Sequence, residues 1–421
     1  MLIKLIGFIW GKIFMEYCES FYKLNKNSVI FNCENKTYLG NTKNGALMSL
    51  NSDGQKFAQI LENGCSLDSS ESTELKKAML ESLFLNGFFE EEETKTINSA
   101  YLHITDKCNL QCKGCYSYID DRNKKQEMTF EEIQLILKKL KEAGLKNLII
   151  SGGEPFIRED IINILEYAKC NIGIKNISCI TNGIFDTDIY IKASKYLDDL
   201  TFSLDSCKKE NSLIRGPLVF EKVENTIDIL KQHINVSLIF TLHKKNIADI
   251  ENMREYARLK NVNYNFSLLT VKSSLAEDLK DIYFEDKDYD DLSFVICNYK
   301  ITDSSLKSQL HCTSCCGAGK TLISISAKGD ILPCHMFTEN EFIMGNALND
   351  NILQIINNKN NIFNELNVNQ FDECSNCEFK YLCGGGCRFR SYAYFNTIKN
   401  KDLLCNAYKI NLKNLLSFTN N

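Results

Sequence analysis

Three cysteines lie within eight residues of one another, between positions 108 and 115. Cys108, Cys112 and Cys115 follow the spacing C-x3-C-x2-C, and no fourth cysteine lies near them. Three thiolates leave one iron of a [4Fe–4S] cluster free to take a ligand that is not protein. A structural zinc ion requires four ligands, and the only nearby histidine, His103, lies inside a predicted strand. The spacing therefore favours an iron–sulfur cluster over zinc.

The chain holds nineteen cysteines among 421 residues, and twelve of them fall into three tight groups. A secreted disulfide protein is shorter and scatters its cysteines through loops, so this grouping indicates metal ligation in a reducing compartment. We therefore expect a cytoplasmic protein. The other seven lie singly and are expected to be small buried residues: Cys18, Cys33, Cys65, Cys170, Cys179, Cys207 and Cys297.

Charge and hydropathy limit the classes of partner. The net charge is −5 and is spread evenly, so no basic stripe indicates a nucleic-acid partner. An apolar run over residues 1–14 is too short to span a membrane, and no small-residue cleavage site follows it. The run is interpreted either as an interfacial anchor or as the result of a misplaced start codon, with Met15 the true start. No membrane span is expected.

Residues 15–95 form the first predicted domain, a winged-helix-like α+β unit. Short alternating runs between residues 20 and 46 are typical of β-hairpins. Two amphipathic helices follow, the first with Ser52 as its N-cap. Their apolar faces comprise Phe57, Ile60 and Leu61, then Leu75, Met79 and Leu83. The order of hairpin, "LNSDGQKFAQIL", helix and "FLNGFF" resembles the precursor-peptide recognition domain of enzymes that modify ribosomally made peptides. The sequence of this segment shows no basic recognition helix, so it does not indicate DNA binding.

Predicted strands and helices alternate six times from residue 98 to about residue 275. The clearest helix begins after Thr129, which forms a capping box with Glu132, and ends at Gly144. Six such units predict an α/β fold in which a parallel sheet curls into a partial, TIM-like (β/α)6 barrel. In such barrels the chemistry lies at the carboxyl ends of the strands. The predicted strands are residues 101–105, 147–151, 176–181, 200–205, 236–242 and 263–269.

Each unusual segment of this region lies at the carboxyl end of a predicted strand. The three cysteines follow the first strand, "SGGEP" ends the second, "TNG" the third and "SLDS" the fourth. The cysteine spacing before Tyr116, with "GGEP" one βα unit later, resembles the radical S-adenosylmethionine (SAM) superfamily. The resemblance implies that SAM chelates the open iron of a [4Fe–4S] cluster and is cleaved to a 5′-deoxyadenosyl radical.

The same resemblance implies which residues contact SAM. They are Gly152, Gly153, Glu154, Ser203, Asp205 and Arg215. The glycines would allow close backbone approach to the methionyl amine, and the Glu154 carboxylate would balance its charge. A helix cap at Asp205 and a surface charge at Arg215 remain alternatives.

The last third of the chain, residues 312–415, carries the other two cysteine groups. C-x2-C pairs alone would also fit zinc. Together, "CGAG", "GDILPCHMF" and the spacing C-x2-C-x5-C-x3-C resemble the SPASM extension of radical SAM enzymes, which implies two auxiliary [4Fe–4S] clusters. Cys374, Cys377, Cys383 and Cys405 would ligate the distal cluster, and Cys316, Cys334 and Cys387 the nearer one. Cys312 and Cys315 are both candidates for its fourth ligand; if neither binds, the open iron is free for a substrate thiolate. Residues 276–311 are interpreted as a bridge.

The three parts together resemble maturases of ribosomally synthesised peptides. "CGAG" through "FIMGN" is similar to the subgroup that joins a cysteine sulfur to a carbon. That resemblance implies a thioether-forming enzyme, a cysteine-rich precursor peptide, and an electron donor such as flavodoxin or ferredoxin; no catalytic acid or base is assigned. Carbon–carbon crosslinking, epimerisation and formylglycine formation in a sulfatase stay open as other reactions. A non-catalytic iron–sulfur redox sensor is the alternative of another class.

Overall fold

The computed structural model describes residues 21–66, 74–89, 96–124, 126–208, 212–270, 279–284, 288 and 310–418. The apolar run at residues 1–14, Cys18, Cys297 and most of the expected bridge lie outside them. Within those ranges, no helix is long and apolar enough to cross a membrane.

The N-terminal domain combines short antiparallel strands with two helices. The elements are β1 (Phe21–Tyr22), β2 (Ser28–Cys33), β3 (Lys36–Asn41), β4 (Leu47–Leu50), α1 (Ser52–Asn63), β5 (Cys65–Ser66) and α2 (Glu74–Leu85). Strand β3 pairs with β2 on one side and β4 on the other, while β1 pairs with β5. The expected α+β composition is therefore present.

Two details of this domain differ from the sequence prediction. The N-cap of α1 is Asn51, whose side chain accepts a hydrogen bond from the Gly54 N–H, so Ser52 is the first helical residue. The apolar faces are also narrower than expected, because Ile60 is 49% exposed and Leu75 is 82% exposed. Phe57 and Leu61 are buried in the small core of this domain. Helix α2 thus leaves part of its apolar stripe uncovered by the described residues.

Six parallel strands form most of a nine-stranded central sheet. They are β6 (Ser99–Thr105), β7 (Asn147–Gly152), β8 (Asn176–Thr181), β9 (Asp199–Leu204), β10 (Asn235–Leu242) and β11 (Asn263–Leu268). They lie in chain order across the sheet, and each pairs in parallel with the next. The predicted partial barrel is confirmed, with strand ends within two residues of those expected.

Helices cover one face of this sheet. They are α3 (Phe130–Glu142), α4 (Ile161–Glu166), α5 (Thr187–Ala193), α6 (Pro217–Leu230) and α7 (Ile250–Lys260). Helix α3 has the expected capping box, in which Thr129 and Glu132 each accept from the other's backbone N–H. Its apolar face, including Ile133, Ile136 and Leu140, is fully buried. Each such side chain stabilises the fold by about 1.5–3 kcal/mol relative to an exposed one.

The cysteine-rich region extends the barrel sheet. Its strands are β12 (Leu322–Ile325), β13 (Asp330–Leu332) and β14 (Gly345–Asn346). Strand β12 pairs in parallel with β6, with Leu322 opposite Ser99, and β13 and β14 continue the sheet in antiparallel fashion. The sequence did not predict this extension. It fixes the cysteine-rich region directly beside the first barrel strand.

Five short helices complete the C-terminal region: α8 (Ile352–Ile356), α9 (Ile362–Glu365), α10 (Lys380–Cys383), α11 (Arg388–Phe395) and α12 (Cys405–Phe418). Helices α9 to α12 pack around the fully buried Phe337, whereas the buried residues of α8 belong to the barrel core. Phe31, Cys33 and Tyr38 of the N-terminal domain belong to the same apolar core. The first and last domains are therefore packed together.

The single cysteines vary in exposure. Cys33 and Cys179 are buried, and Cys65 and Cys207 are partly buried, in line with the prediction. Cys170 is exposed, contrary to the prediction. It lies in a π-helical turn that continues α4.

Candidate active site

The three-cysteine loop is held against the end of β7 by backbone hydrogen bonds. The Gly153 N–H donates to the Thr105 carbonyl at 2.8 Å, and the Glu154 N–H donates to the Lys107 carbonyl at 2.8 Å. These bonds continue the β6–β7 pairing beyond the sheet. They fix the chain just before Cys108, so the position of the thiols depends on "SGGE".

The two glycines are required by this close approach. A Cβ at Gly153 would lie 2.1 Å from the Lys107 carbonyl oxygen, and one at Gly152 would lie 2.2 Å from that of Thr105. Gly152 also has φ +141°, which other residues rarely adopt. The partner of this close approach is the cysteine loop, and the contact of these glycines with the methionyl amine of SAM stays a prediction.

Glu154 has different contacts from those expected of it. Its buried carboxylate accepts from the Thr181 hydroxyl at 2.8 Å and the Asn182 N–H at 2.7 Å. Burial raises the pKa of Glu154 to about 7, although these donors act in the opposite direction. The carboxylate lies beneath the cavity wall, where it holds the end of β8. We infer that it positions Asn182, which donates to Cys108 Sγ at 3.8 Å.

Asp205 also acts beneath the cavity. Its carboxylate accepts from the Ser212 hydroxyl at 2.9 Å and the Ile214 N–H at 2.7 Å. The segment that it holds carries Arg215, whose guanidinium donates to Cys112 Sγ at 3.8 Å. Asn246 supports the same corner by donating to the Asp205 carbonyl at 2.7 Å. Asp205 is therefore placed to orient Arg215.

A cavity of about 330 Å³ opens at this rim. The predicted residues that line it are Cys108, Cys112, Cys115, Gly152, Gly153, Ser203 and Arg215. Apolar groups from the last two barrel strands, including Ile239 and Leu269, form its opposite wall. The structure thus brings the cysteine trio and four of the six predicted SAM contacts to one cavity.

Two groups in this cavity were not singled out as ligands by the sequence. Arg122 is buried; it donates to the Asp106 carbonyl at 2.7 Å and to Cys115 Sγ at 4.0 Å. His335 stacks on Tyr101 at 4.1 Å between ring centroids and meets Tyr116 edge-on. Arg122 follows the cysteine motif in a loop without periodicity, so no sequence pattern indicated its inward direction.

The cavity has polar atoms that lack a partner within the protein. Arg122 Nη2, Arg215 Nε and His335 Nδ1 are buried and have no hydrogen-bond partner among the described residues. Three thiols and two guanidiniums around one space suit an anionic iron–sulfur cluster and a ligand with a carboxylate. The residues therefore fit the expected cluster and SAM.

Burial changes the pKa of a thiol in this loop. It raises the pKa of Cys112 to about 11, while the Arg215 guanidinium lowers it. A thiol must lose its proton to bind iron, so cluster loading releases protons. Among the described residues, no three His, Cys, Asp or Glu side chains converge on a point that could hold one ion. A cluster differs because each thiolate binds a separate iron.

The predicted distal group surrounds a much smaller cavity, of about 20 Å³. All four of its cysteines line it: Cys374, Cys377, Cys383 and Cys405. Phe379, Tyr408 and the backbone of Gly385 close the walls. Burial raises the pKa of Cys383 to about 12. The four thiols are thus gathered in one enclosed place, as a four-cysteine cluster requires.

The predicted nearer group is also assembled. Burial raises the pKa of Cys334 to about 12, and the neighbouring thiols of Cys387 and Cys316 add to this effect. Asp402, buried beside them, accepts from the Cys387 N–H and pairs with Arg390 at 2.8 Å. Cys312 faces the N-terminal domain, whereas Cys315 lies beside Cys316.

Three consecutive glycines and an arginine separate the two auxiliary groups. Gly384, Gly385 and Gly386 all have positive φ, between 64° and 77°, a conformation that favours glycine. The fully buried Arg388 donates to the Gly385, Ile398 and Asn400 carbonyls, and its guanidinium lies 4.4 Å from the Phe371 ring centroid. A buried cation between two thiolate groups would stabilise their negative charge.

Comparison with known families agrees with this arrangement. Residues 102–257 match the radical SAM superfamily. Residues 312–378 match the SPASM iron–sulfur cluster-binding domain.

Two curated relatives differ in how much of the chain they cover. A probable GTP 3′,8-cyclase of Methanocaldococcus jannaschii is 37% identical, over 39% of this chain and 56% of its own length. Mycofactocin maturase MftC of Mycolicibacterium smegmatis is 24% identical, over 68% of this chain and 76% of its own length.

Two solved structures share the fold. Native anSMEcpe with bound AdoMet has a TM-score of 0.63 at 18% identity, covering 76% of this chain and 99% of its own. Streptococcus suis SuiB bound to precursor peptide SuiA has a TM-score of 0.58 at 14% identity, covering 91% of this chain and 99% of its own. With both families matched, the chain is a radical SAM enzyme with a SPASM domain, and its cofactors are SAM and several [4Fe–4S] clusters.

Proposed function

We propose that this enzyme modifies a ribosomally synthesised precursor peptide and joins a cysteine sulfur of that peptide to a carbon. The observation that carries the proposal is the packing of an N-terminal α+β domain onto the cysteine-rich domain, in a chain that also has a SAM-type cavity. The likeness to SuiB, whose structure contains a precursor peptide, extends over 91% of this chain and supports the same reading.

In this proposal Cys108, Cys112 and Cys115 hold the cluster, and Arg215 and Ser203 orient SAM. Bound SAM, when reduced by one electron, would supply a 5′-deoxyadenosyl radical that takes one hydrogen atom from the peptide carbon. As the carbon–sulfur bond forms, the thiol proton would leave and an auxiliary cluster would accept the remaining electron. The apolar wall at Ile239 and Leu269 keeps water from the reacting centre.

We infer that the leader part of the peptide adds as a strand to the edge of β2. Among the described strands β2 pairs only with β3, so its second edge can accept a chain through main-chain hydrogen bonds. Proline replacements in a synthetic leader from the open reading frame next to this gene should weaken its binding, measured by fluorescence anisotropy, at alternate positions. Equal affinity for every proline peptide would refute strand addition.

Two readings on one product decide the reaction. A thioether made by removing two hydrogens lowers the peptide mass by about two units and consumes one free thiol. A carbon–carbon link gives the same mass but leaves the thiol reactive to iodoacetamide. Formylglycine formation from cysteine loses far more mass, and epimerisation loses none. A two-unit loss with the thiol still reactive would refute the thioether.

An iron–sulfur sensor is the alternative of another class. A sensor would not turn over SAM, so 5′-deoxyadenosine formation by the reduced protein separates it from an enzyme. The half-buried Arg215 beside Cys112, at 3.8 Å, favours the enzyme because it fits a SAM carboxylate.

A further inference from the structure

We propose that Cys315 is the fourth thiolate of the near auxiliary group, and that Cys312 instead belongs to the joint between the N-terminal and cysteine-rich domains. The inference rests on the proposed iron–sulfur role of Cys316, Cys334 and Cys387. It assigns different functions to two cysteines that the sequence leaves equivalent.

Cys312 faces the N-terminal domain. Its side chain is 1% exposed, and its Sγ would lie 2.3 Å from a Cβ placed on Gly40 of β3. Its backbone N–H donates to the Gly45 carbonyl at 3.0 Å. Both contacts are with the strand and turn of the N-terminal sheet, so the thiol fills a space left by a residue without a side chain.

The surroundings of Cys312 are apolar. It belongs to a core that includes Phe31 and Tyr38 of the N-terminal sheet. Burial raises the pKa of Cys312 to about 12, and no other cysteine contributes to that shift. A thiol with no thiol neighbour, sealed between two domains, has the character of a packing residue.

Cys315 has the opposite environment. Its thiol shares a hydrogen bond with that of Cys316, which is assigned to the near group in the proposal above. A thiol in hydrogen-bond contact with Cys316 is placed to bind an iron of the cluster that Cys316 would hold.

The loop before Cys315 is anchored so that its direction is fixed. The Thr313 N–H donates to the Tyr381 carbonyl at 2.8 Å, and the Val368 N–H donates to the Ser314 carbonyl at 2.9 Å. Thr313 Oγ1 also donates to the Cys315 carbonyl at 2.8 Å. These bonds turn the chain between Cys312 and Cys315, so the two side chains leave it toward different domains.

The assignment limits where a substrate can bind iron. With Cys315 in place, the near group supplies four thiolates and leaves no iron open to a substrate thiolate. Of the three proposed cluster sites, the SAM-side trio alone would then lack a protein ligand on one iron. A peptide cysteine would have to react without being held on the near cluster.

The test uses Cys315→Ala and Cys312→Ala in a background that carries Cys108→Ala, Cys112→Ala and Cys115→Ala. The background removes the SAM-side cluster. The open iron of that cluster would also be lost on oxidation, and the signal from it would hide that of the near group. After anaerobic reconstitution and mild ferricyanide oxidation, we expect a [3Fe–4S] electron paramagnetic resonance signal from the Cys315→Ala protein. The Cys312→Ala protein and the background itself should lack it.

Each other outcome overturns the assignment. The signal in Cys312→Ala alone would make Cys312 the ligand, and the signal in the background would mean that the position is open. A background protein that binds no iron would refute the auxiliary clusters themselves, which separates failure of the proposed function from failure of this inference.

A second measurement tests the joint. Gly40→Ala places a methyl against Cys312, so we expect faster amide hydrogen exchange in β3 with the iron content unchanged. Adding Cys312→Gly should recover much of the lost protection, whereas adding Cys315→Gly should not. Equal rescue by both, or by neither, would contradict the role given to Cys312.

Discussion

The SAM-side and distal cysteine groups are built on opposite plans. Three thiols of the first open onto a cavity of about 330 Å³ lined by several barrel strands. Four thiols of the second enclose about 20 Å³. At the SAM-side group, three thiolates would leave one iron open, and the cavity has space for a ligand. At the distal group, four thiolates would bind all four irons, and little space remains between them.

The two groups also differ in what holds them. The SAM-side loop is fixed by backbone bonds to the end of β7, such as Gly153 N–H to Thr105 at 2.8 Å. The distal group is surrounded by left-handed glycines and by buried charged side chains, with Arg388 and Asp402 at most 1% exposed. The ends of parallel strands thus position the SAM-side group, whereas buried charged side chains support the distal group.

The largest effect should come from removing the SAM-side thiols. Triple substitution of Cys108, Cys112 and Cys115 by Ala should abolish SAM cleavage and remove about four of about twelve irons. Iron analysis and 5′-deoxyadenosine formation measure both. Cys170→Ala, at an exposed single cysteine, is the matched control and should change neither. An unchanged iron content in the triple variant would refute the assignment of a cluster to these three cysteines.

Arg388→Met should destabilise the C-terminal domain by about 2–4 kcal/mol, because three backbone carbonyls lose their buried donor. It should also lower the reduction potentials of the auxiliary clusters, which lose a nearby cation, and leave that of the SAM-side cluster unchanged. Arg258→Met, at a 77% exposed side chain, is the control and should cost little. Denaturant unfolding and potentiometric titration provide the two readings, and an equal shift at all three clusters would argue against a local effect.

Glu154 should make stability depend on pH. Burial raises its pKa from 4.5 to about 7 in the folded state. The folded protein then binds the proton more tightly than the unfolded chain, so this stabilisation is full below pH 4.5 and is lost as pH rises through 7. The loss is at most about 3 kcal/mol. Glu154→Gln should reduce the change of melting temperature between pH 5 and pH 8. An identical pH dependence of the melting temperature in both proteins would show that another group is responsible.

The smallest effect concerns alkylation of the iron-free protein at pH 8. Exposed Cys170 should react with iodoacetamide first. Burial raises the pKa of Cys112 to about 11 and that of Cys383 to about 12. Cys383 should therefore react roughly tenfold more slowly than Cys112, since the thiolate is the nucleophile. Peptide mapping over time gives the order, and faster labelling of Cys383 would show that the distal walls are open without iron.

Local patterns predicted what depends on local chemistry. The capping box at Thr129 and the strand ends of the barrel follow from periodicity and turn residues, and both are confirmed. The sequence did not predict that the Glu154 carboxylate accepts from Thr181 and Asn182, and its contact with SAM stays a prediction. Which neighbour a buried carboxylate meets depends on how two strand ends pack, and a motif does not contain that information.

Features that depend on distant contacts were missed. Arg122 points to Cys115 because the loop after the cysteines turns back toward Asp106, whose carbonyl accepts from the guanidinium, and no periodic pattern reveals this. Pro155 begins a 3-10 turn that is capped by Glu154, and no periodic pattern indicates this turn. The contact of Gly40 with Cys312 joins segments about 270 residues apart, so only the folded chain shows why that strand has a glycine.

The pairing of β12 with β6 has a consequence for synthesis of the chain. Residues Leu102 and Ile325 face each other across that pair, although about 220 residues separate them in sequence. At ordinary translation rates the partner strand emerges on the order of ten to forty seconds after β6. During that interval the newly made barrel has an apolar strand with an unpaired edge, a surface prone to pair with other chains. The barrel is thus completed by the domain that follows it, and a fragment that stops before residue 325 keeps that edge exposed.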